Sequence, residues 1–212
     1  MTSLSMMRQE YGKNSLDEKN VPENPLELFS QWLQFAIDAD VVEPNAMVLS
    51  TVNSNGCPSS RVVLLKDIDK RGFSFFTNYL SRKGLEIEVN PNVSLVFDWH
   101  VIERQVRIEG IAKKLSSSES DDYFNIRPEN AKIGAWASPQ SRIVANKHEL
   151  ENLEKATINR FAGQQIHRPT HWGGYIVKPT YIEFWQGRPN RMHDRLAYCR
   201  TENNWQLNRL AP

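Results

Sequence analysis

The segment FWQGRPNRMHDR, residues 184–195, holds two aromatics, three arginines, a histidine and an aspartate. A solvated loop has no use for Phe184 and Trp185. A buried strand does not accept Arg188, Arg191 and Arg195 unless something anionic or planar meets them. Arg191 and His193 are two apart, so on an extended chain they point the same way, and Arg195 continues that face. Histidine, as a residue type, exchanges protons near neutral pH, and Trp185 can pack on a ring. A lone histidine more often makes a structural contact. Beside two arginines on one face, the pattern points to a site for a planar anion.

Four other stretches offer related chemistry. In FTNYLSRKGLEIEV a strand ends at Thr77 and Ser81 is a good N-cap, which puts Arg82 and Lys83 in the first turn of a helix. That is the wrong end for cations, because the helix dipole already places positive charge there. An anion at the helix start removes the conflict, and Thr77, Ser81, Arg82, Lys83 and free backbone amides then form a phosphate cradle. Tyr123 and Arg127 stand at i and i+4 on a predicted helix and share a face, either as a surface pair or as a second anion site. In RVVLLK, Arg61 and Lys66 point to opposite faces of a strand, where they either snorkel to water or serve a ligand. In ERQVRIEG, Gln105 shares a face with Arg107, and its amide can both donate and accept toward a heterocycle edge.

The elements that must position these residues are legible in outline. NPLELFSQWLQFAIDADV reads as a helix with Asn24 as N-cap, Pro25 first and Glu27 at the capping-box position; Leu26, Phe29, Trp32, Leu33, Ala36 and Ile37 give it a buried face. Strands are predicted at AMVLSTVN and SRVVLLKDI as a hairpin, then at FSFFTN, VSLVFDWH and ERQVRIEGIAKKL. Ser116 and Glu119 form a capping box for a helix that Pro128 ends, and a second helix covers 147–162 with Leu150, Leu153, Ala156 and Phe161. The chain returns to strands at WGGYIVKPTYIEFWQG, DRLAYCRTE and WQLNRLAP. Short strands with Gly, Pro and Asn punctuation fit an antiparallel barrel better than a parallel sheet. Neither GxGxxG nor GxxxxGK[ST] occurs.

Composition sets the frame. At 212 residues, 40% hydrophobic and 24% charged, the chain is ordinary for a globular protein, and its size supports a sizeable core. A formal net charge of +1 argues against a general nucleic-acid binder, so anion sites must be local. Cys57 and Cys199 have neither the spacing nor the histidines of a metal site and read as reduced thiols, so no metal is expected. The first twenty residues lack the apolar run of a secretory signal, and no stretch has the roughly 20 apolar residues a membrane span needs. The expectation is a cytoplasmic protein with a polar, mobile arm over 1–20 and a single domain over 21–212.

These segments together resemble the pyridoxamine 5'-phosphate oxidases, FMN enzymes that make pyridoxal 5'-phosphate. RQEY at 8–11, RVVLLK, FTNYLSRK, ERQVRIEG, YFNIRP, IGAWASPQS, FWQG, RMHDR and the final RLAP come in the family's order and spacing through nearly the whole chain. The resemblance implies a mainly β fold with flanking helices (α+β), an antiparallel FMN-binding split β-barrel, in a homodimer with FMN at the subunit interface. It implies FMN contacts from Arg61, Val62, Val63, Leu64, Leu65, Lys66, Phe76, Thr77, Arg82, Lys83, Gln105, Gln140, Ser141, Trp185 and Arg195. Lys66, Tyr123, Arg127 and the position of Ala131 would surround the substrate phosphate, with Arg191 and His193 over the pyridine ring as the catalytic pair. Arg8 and Tyr11 match a segment that closes over the site.

The activity implied is oxidation of pyridoxamine 5'-phosphate and pyridoxine 5'-phosphate, with oxygen as acceptor and no nucleic-acid or membrane partner. Ala131 stands where the family often has a serine, Gln9 where it has a second arginine, and Glu43 where it has an aspartate; Arg188 and Pro189 alter the loop before Arg191. Two other functions fit parts of the pattern. A split-barrel flavin protein with another substrate, such as a flavin reductase, does not need a second phosphate site. A barrel that stores a cofactor without turnover differs only in an assay.

Overall fold

The computed structural model describes residues 3–7 and 9–212. Helix α1 (Pro25–Asp38) begins as the sequence predicts, with the Asn24 side chain accepting from the Leu26 amide at 3.1 Å. Its buried face is Pro25, Leu28, Phe29, Trp32 and Ala36, while Ile37, expected inside, is 48% exposed. The stripe follows 28–32–36, and Ile37 falls a hundred degrees round the helix from Ala36.

The strands are β1 (Ala46–Val52), β2 (Pro58–Leu64), β3 (Asp67–Asp69), β4 (Gly72–Asn78), β5 (Asn92–Trp99), β6 (Arg104–Lys114), β7 (Trp172–Gln186), β8 (Asp194–Arg200) and β9 (Trp205–Arg209). Their pairings are all antiparallel, and β1–β2 is the predicted hairpin, with Val48 opposite Val62. The order is β2-β1-β5-β6-β7-β4-β3, with β8 on β7 and β9 on β8. Strands β2 and β3 stand at opposite ends of this path, yet only Leu65 and Lys66 separate them in the chain. The sheet must therefore curl until its two ends come near each other, and the Lys66 amide donates to the Ser74 carbonyl at 2.9 Å.

Strand β7 serves two neighbours in succession. Residues Trp172–Val177 pair with β4, and Tyr181–Gln186 pair with β8. Between them lies Pro179, which has no amide to donate. Strand β6 follows the bend through a bulge at Glu109/Gly110. A Cβ on Gly110 would lie 2.3 Å from the Lys178 carbonyl oxygen, so the close approach requires glycine. The product is a split antiparallel barrel with flanking helices, the predicted fold class.

Phe29 plugs the barrel, meeting Phe73 at 4.9 Å and Phe97 at 4.8 Å between ring centroids. Leu49, Leu95, Val106, Ile108, Ile182, Phe184 and Tyr198 complete the same apolar cluster. A second cluster of Phe124, Ile133, Ala135, Ile166 and Trp172 lies under helices α3 (Ser117–Asn125) and α4 (Glu129–Ala137). The Ser116–Glu119 capping box is present. Pro128 does end α3, but it also caps α4, a helix the sequence pattern does not announce because only Ile133 and Ala135 of it are buried. Helix α5 (Lys147–Phe161) matches the predicted range but buries none of its side chains.

Candidate active site

The helix start read as a phosphate cradle is built as expected. Helix α2 (Arg82–Val89) is capped by Ser81, whose hydroxyl accepts from the Gly84 amide and donates to the Asn78 carbonyl. A Cβ on Gly84 would lie 2.2 Å from the Tyr79 carbonyl oxygen, so glycine is what lets this turn sit against the end of β4. Lys83 is only 8% exposed. Its Nζ donates to Thr77 Oγ1 at 3.3 Å, Ser81 Oγ at 3.4 Å and Gln140 Oε1 at 3.3 Å. None of these partners is a carboxylate. Burial first, and then the charge of Arg61, pushes the Lys83 ammonium below its usual pKa range. A buried cation held only by long bonds to neutral groups is costly in isolation and fits an anion arriving from outside.

Arg61 approaches from β2. Its guanidinium donates to the Leu49 carbonyl, Thr51, Ser59 and Glu86. Strand β2 ends the sheet path and pairs only with β1, so its outer backbone edge is open. Along it Val62 is 65% exposed, Val63 and Leu64 are half-buried, and Leu65 is buried. Gln140 and Ser141 follow α4 and, with Leu80, Arg82, Glu86 and Arg142, line a cleft of about 430 Å³. The structure thus gathers Thr77, Lys83 and Gln140 around one point, with Arg61 and Arg82 nearby.

A second cleft, of about 410 Å³, is lined by Lys66, Phe76, Arg71, Glu119, Asp122 and Tyr123 among others. Tyr123 stacks on Phe76 at 3.9 Å and 20°. Arg127 is not on the same helix as Tyr123, because α3 stops at Asn125. The residue before a proline is steered out of the helical region, so Arg127 sits in the turn to α4. There it lies over the Trp172 ring at 4.3 Å and donates through Nη2 to the Ala131 carbonyl at 3.0 Å. Its Nη1 is buried and has no hydrogen-bond partner among the described residues. Burial pushes the Arg127 guanidinium below its usual range. Ala131 meets Arg127 through its backbone oxygen; its side chain supplies no donor.

The third group lies across β6, β7 and β8. Gln105 is opposite Trp185, and Trp185 is opposite Arg195, so the three form one cross-strand row. Arg195 Nε donates to Glu183 Oε1 at 2.8 Å, and that bond first of all raises the arginine's pKa. Glu183 also accepts from Arg107 at 3.3 Å and Tyr181 at 3.0 Å. His193 packs 4.7 Å from the Trp185 ring, and its Nδ1 accepts from the Arg188 amide at 3.1 Å, which places the imidazole proton on Nε2. The extended run expected over 191–195 is corrected at its start. Pro189–Arg191 forms a 3₁₀ turn with φ +56° at Asn190 and +60° at Arg191, so Arg191 is exposed on a turn and does not alternate with His193.

The N-terminal segment lies on this third group. Tyr11 is 5.8 Å from both the Trp185 and His193 rings. The amides of Gly12 and Lys13 donate to Glu103 Oε2 at 2.9 and 3.0 Å, and Leu16 donates to Asp194 at 3.0 Å. Arg8 lies outside the described residues. The acidic residues Glu86, Glu103 and Glu183 are the site features the sequence reading misses. Of the three, only Glu86 carries a local signal, its i,i+4 spacing from Arg82.

Comparison with known proteins decides the family. Residues 33–153 match the family described as pyridoxamine 5'-phosphate oxidase, and residues 172–212 match the pyridoxine 5'-phosphate oxidase C-terminal dimerisation region. The chain belongs to the pyridoxamine 5'-phosphate oxidase family. It is 51% identical to the pyridoxine/pyridoxamine 5'-phosphate oxidase of Salinibacter ruber over 100% of both chains. It is 50% identical to that of Pseudomonas paraeruginosa over 99% of each. Among solved structures, PhzG of Burkholderia lata, in complex with tetrahydrophenazine-1-carboxylic acid, superposes with a TM-score of 0.88 at 33% identity, covering 94% of this chain and 98% of that one. A pyridoxamine 5'-phosphate oxidase-related, FMN binding protein of Nostoc punctiforme has a TM-score of 0.71 at 15% identity over 91% of this chain and 100% of its own, which shows the shared split-barrel fold. Residues 172–212 of this family member, which hold β7, β8 and β9, are thus a dimerisation region.

Proposed function

We propose that this family member binds FMN and oxidises pyridoxamine 5'-phosphate and pyridoxine 5'-phosphate to pyridoxal 5'-phosphate. One observation carries the reading: in separate places, buried Lys83 meets only neutral groups through long bonds, and half-buried Arg127 keeps a buried nitrogen, Nη1, with no partner among the described residues. A nearly neutral chain that keeps two such cations supports two phosphates, one on the cofactor and one on the substrate. A flavin reductase has no need of the second.

The residues fit FMN. Lys83, Arg61 and Arg82, with Thr77, Gln140 and the α2 amides, would hold its phosphate, and the open edge of Val62–Leu65, with Phe76 and Ser141, would run beside it. Gln105, Trp185 and Arg195 stand elsewhere. Gly173, opposite Thr77, and Trp185 are twelve positions apart on β7, roughly 40 Å along the strand at about 3.3 Å per residue. Within one chain the two groups thus belong to opposite ends of β7, on either side of Pro179. This supports a homodimer in which FMN lies at the interface, one protomer giving the cradle and its partner the tryptophan row.

When bound, FMN would supply the redox chemistry, serving as hydride acceptor for the substrate's C4' with oxygen as the final acceptor and hydrogen peroxide as by-product. The chain's part is to bind and orient. Arg127, Lys66 and Tyr123 would hold the substrate phosphate. His193, fixed as the Nε2–H tautomer by the Arg188 amide, presents a hydrogen-bond donor to the pyridine ring. Arg191 brings a positive charge on an exposed side chain, and Tyr11, with Arg8, would close over the ring and exclude water. Among the described residues no helix is long and apolar enough to cross a membrane, and a cytoplasmic location belongs to this proposal.

The purified protein is expected to be yellow and to release peroxide on addition of pyridoxine 5'-phosphate. A colourless protein, or a yellow one without peroxide, refutes the reading. Arg191→Ala is expected to lower kcat/KM roughly a hundredfold with FMN still bound, and His193→Ala to lower it less; normal kcat/KM in Arg191→Ala would remove that residue from the site. Glu103→Ala frees the Gly12 and Lys13 amides from their carboxylate. It is expected to speed proteolytic cleavage within residues 9–16 and to raise KM several-fold, whereas unchanged cleavage would show that Glu103 does not hold the segment down.

A further inference from the structure

The phosphate cradle contains a carboxylate, which is unexpected in a site for an anion. Glu86, on α2, is 6% exposed. Its Oε2 accepts from Thr51 Oγ1, from Ser59 Oγ at 2.7 Å and from Arg61 Nη2 at 3.3 Å. Its Oε1 accepts from Arg82 Nε at 2.9 Å. Burial raises the pKa of such a carboxyl, but the hydrogen bonds from Thr51, Ser59 and Arg82 outweigh it and hold Glu86 at about 2. The group is therefore an anion at any working pH.

Its partners show what it does. One carboxylate joins a guanidinium from β2, a guanidinium from the first turn of α2 and hydroxyls from β1 and β2. Among the described residues the Arg82 side chain has no other hydrogen-bond partner, and it is 61% exposed. Lys83 is passed over, because its Nζ turns to Thr77, Ser81 and Gln140. The cluster of Arg61, Arg82, Lys83 and Glu86 carries a formal charge of +2. A phosphate monoester carries close to −2 above its second pKa of about 6.

We propose that Glu86 is a positioning residue for the phosphate of the bound nucleotide: it fixes Arg61 and Arg82 at the cradle and sets the cradle's charge to match a phosphomonoester dianion. The inference rests on the reading that the cradle holds the FMN phosphate. Removing the carboxylate leaves Arg82 unfixed and sets three cations against one another, so preorganisation is lost although the net charge rises.

The test titrates FMN and riboflavin, which differ only in the phosphate, into flavin-free full-length protein, with flavin fluorescence as the readout. Glu86→Gln keeps shape and removes charge. It is expected to weaken FMN about tenfold and to leave riboflavin within twofold of wild type, while Glu86→Asp recovers part of the FMN affinity. A purely structural role would weaken both ligands in parallel, and that result overturns the proposal, as does unchanged or tighter FMN binding. If Glu86→Gln does not fold, Glu86→Asp decides alone: a loss for FMN without a loss for riboflavin supports the proposal, and equal effects refute it. Lys83→Met separates the two levels. If Lys83→Met leaves the ratio of FMN to riboflavin affinity unchanged, the cradle reading itself fails. If it shifts the ratio and Glu86→Gln does not, only the role of Glu86 fails.

Discussion

Lys83→Met is expected to weaken FMN by roughly 30- to 150-fold and to leave riboflavin nearly untouched. Lys83 is buried, and its Nζ has three neutral partners at 3.3–3.4 Å. Hydrogen bonds to a charged group are typically worth about 1.5–3 kcal/mol, and about 1.4 kcal/mol is tenfold in affinity. The estimate takes the upper half of that range because the site is dehydrated and lies at a helix N-terminus, where dipole and ammonium act together. Methionine keeps the length and the apolar stem of the side chain. The variant also loses a buried, unpaired charge, so its flavin-free form is expected to unfold no earlier than wild type. Isothermal titration with the two ligands and a thermal melt together check this. Equal loss of FMN and riboflavin, or a large drop in Tm, would make Lys83 a structural residue.

Lys83 also shows why part of the site can be read from sequence. The signal was a local contradiction, two cations in the first turn of a helix, and such contradictions survive without coordinates. Cross-strand rows leave a fainter trace. Trp185 and Arg195 are ten residues apart and Gln105 is eighty before them, and only the register of β6, β7 and β8 sets them side by side. The barrel was legible from strand punctuation, whereas its split was legible only through the family resemblance. The split depends on Pro179 and the Glu109/Gly110 bulge dividing β7 between two neighbours, and a long apolar run reads the same with or without that division. Periodicity misled where it ran through a proline: Tyr123 and Arg127 have helical spacing, yet Pro128 unwinds the turn between them. It misled again at Asn190 and Arg191, whose positive φ values no alternation rule foresees. The acidic partners were missed for a different reason. Glu86, Glu103 and Glu183 are ordinary in sequence and acquire meaning only from what the fold brings against them.

Arg127→Met is expected to raise KM for pyridoxine 5'-phosphate roughly a hundredfold or more, to change kcat by no more than a few-fold, and to leave Tm within about 3 °C of wild type. The three parts follow from one geometry. Arg127 spends one nitrogen on the Ala131 carbonyl and holds the other, Nη1, buried with no partner among the described residues. A guanidinium so placed offers a phosphate up to two charge-assisted hydrogen bonds, together worth about 3–4 kcal/mol. The phosphate lies away from the carbon that gives up hydride, so the contact is the same in ground and transition states; its loss appears in KM and spares kcat. Stability behaves differently from binding. In the free protein the half-buried cation is a burden, since burial already lowers its pKa. Stacking on Trp172 at 4.3 Å returns about 0.5–2 kcal/mol, and a methionine sulfur on the same ring keeps part of that. The two effects nearly cancel, and a net change below about 1 kcal/mol moves Tm by only 2–4 °C in a domain of this size. A structural arginine would behave in the opposite way, with a fall in Tm and little change in KM. Steady-state kinetics beside a thermal melt therefore decide between a residue held ready for a phosphate and one that serves the fold.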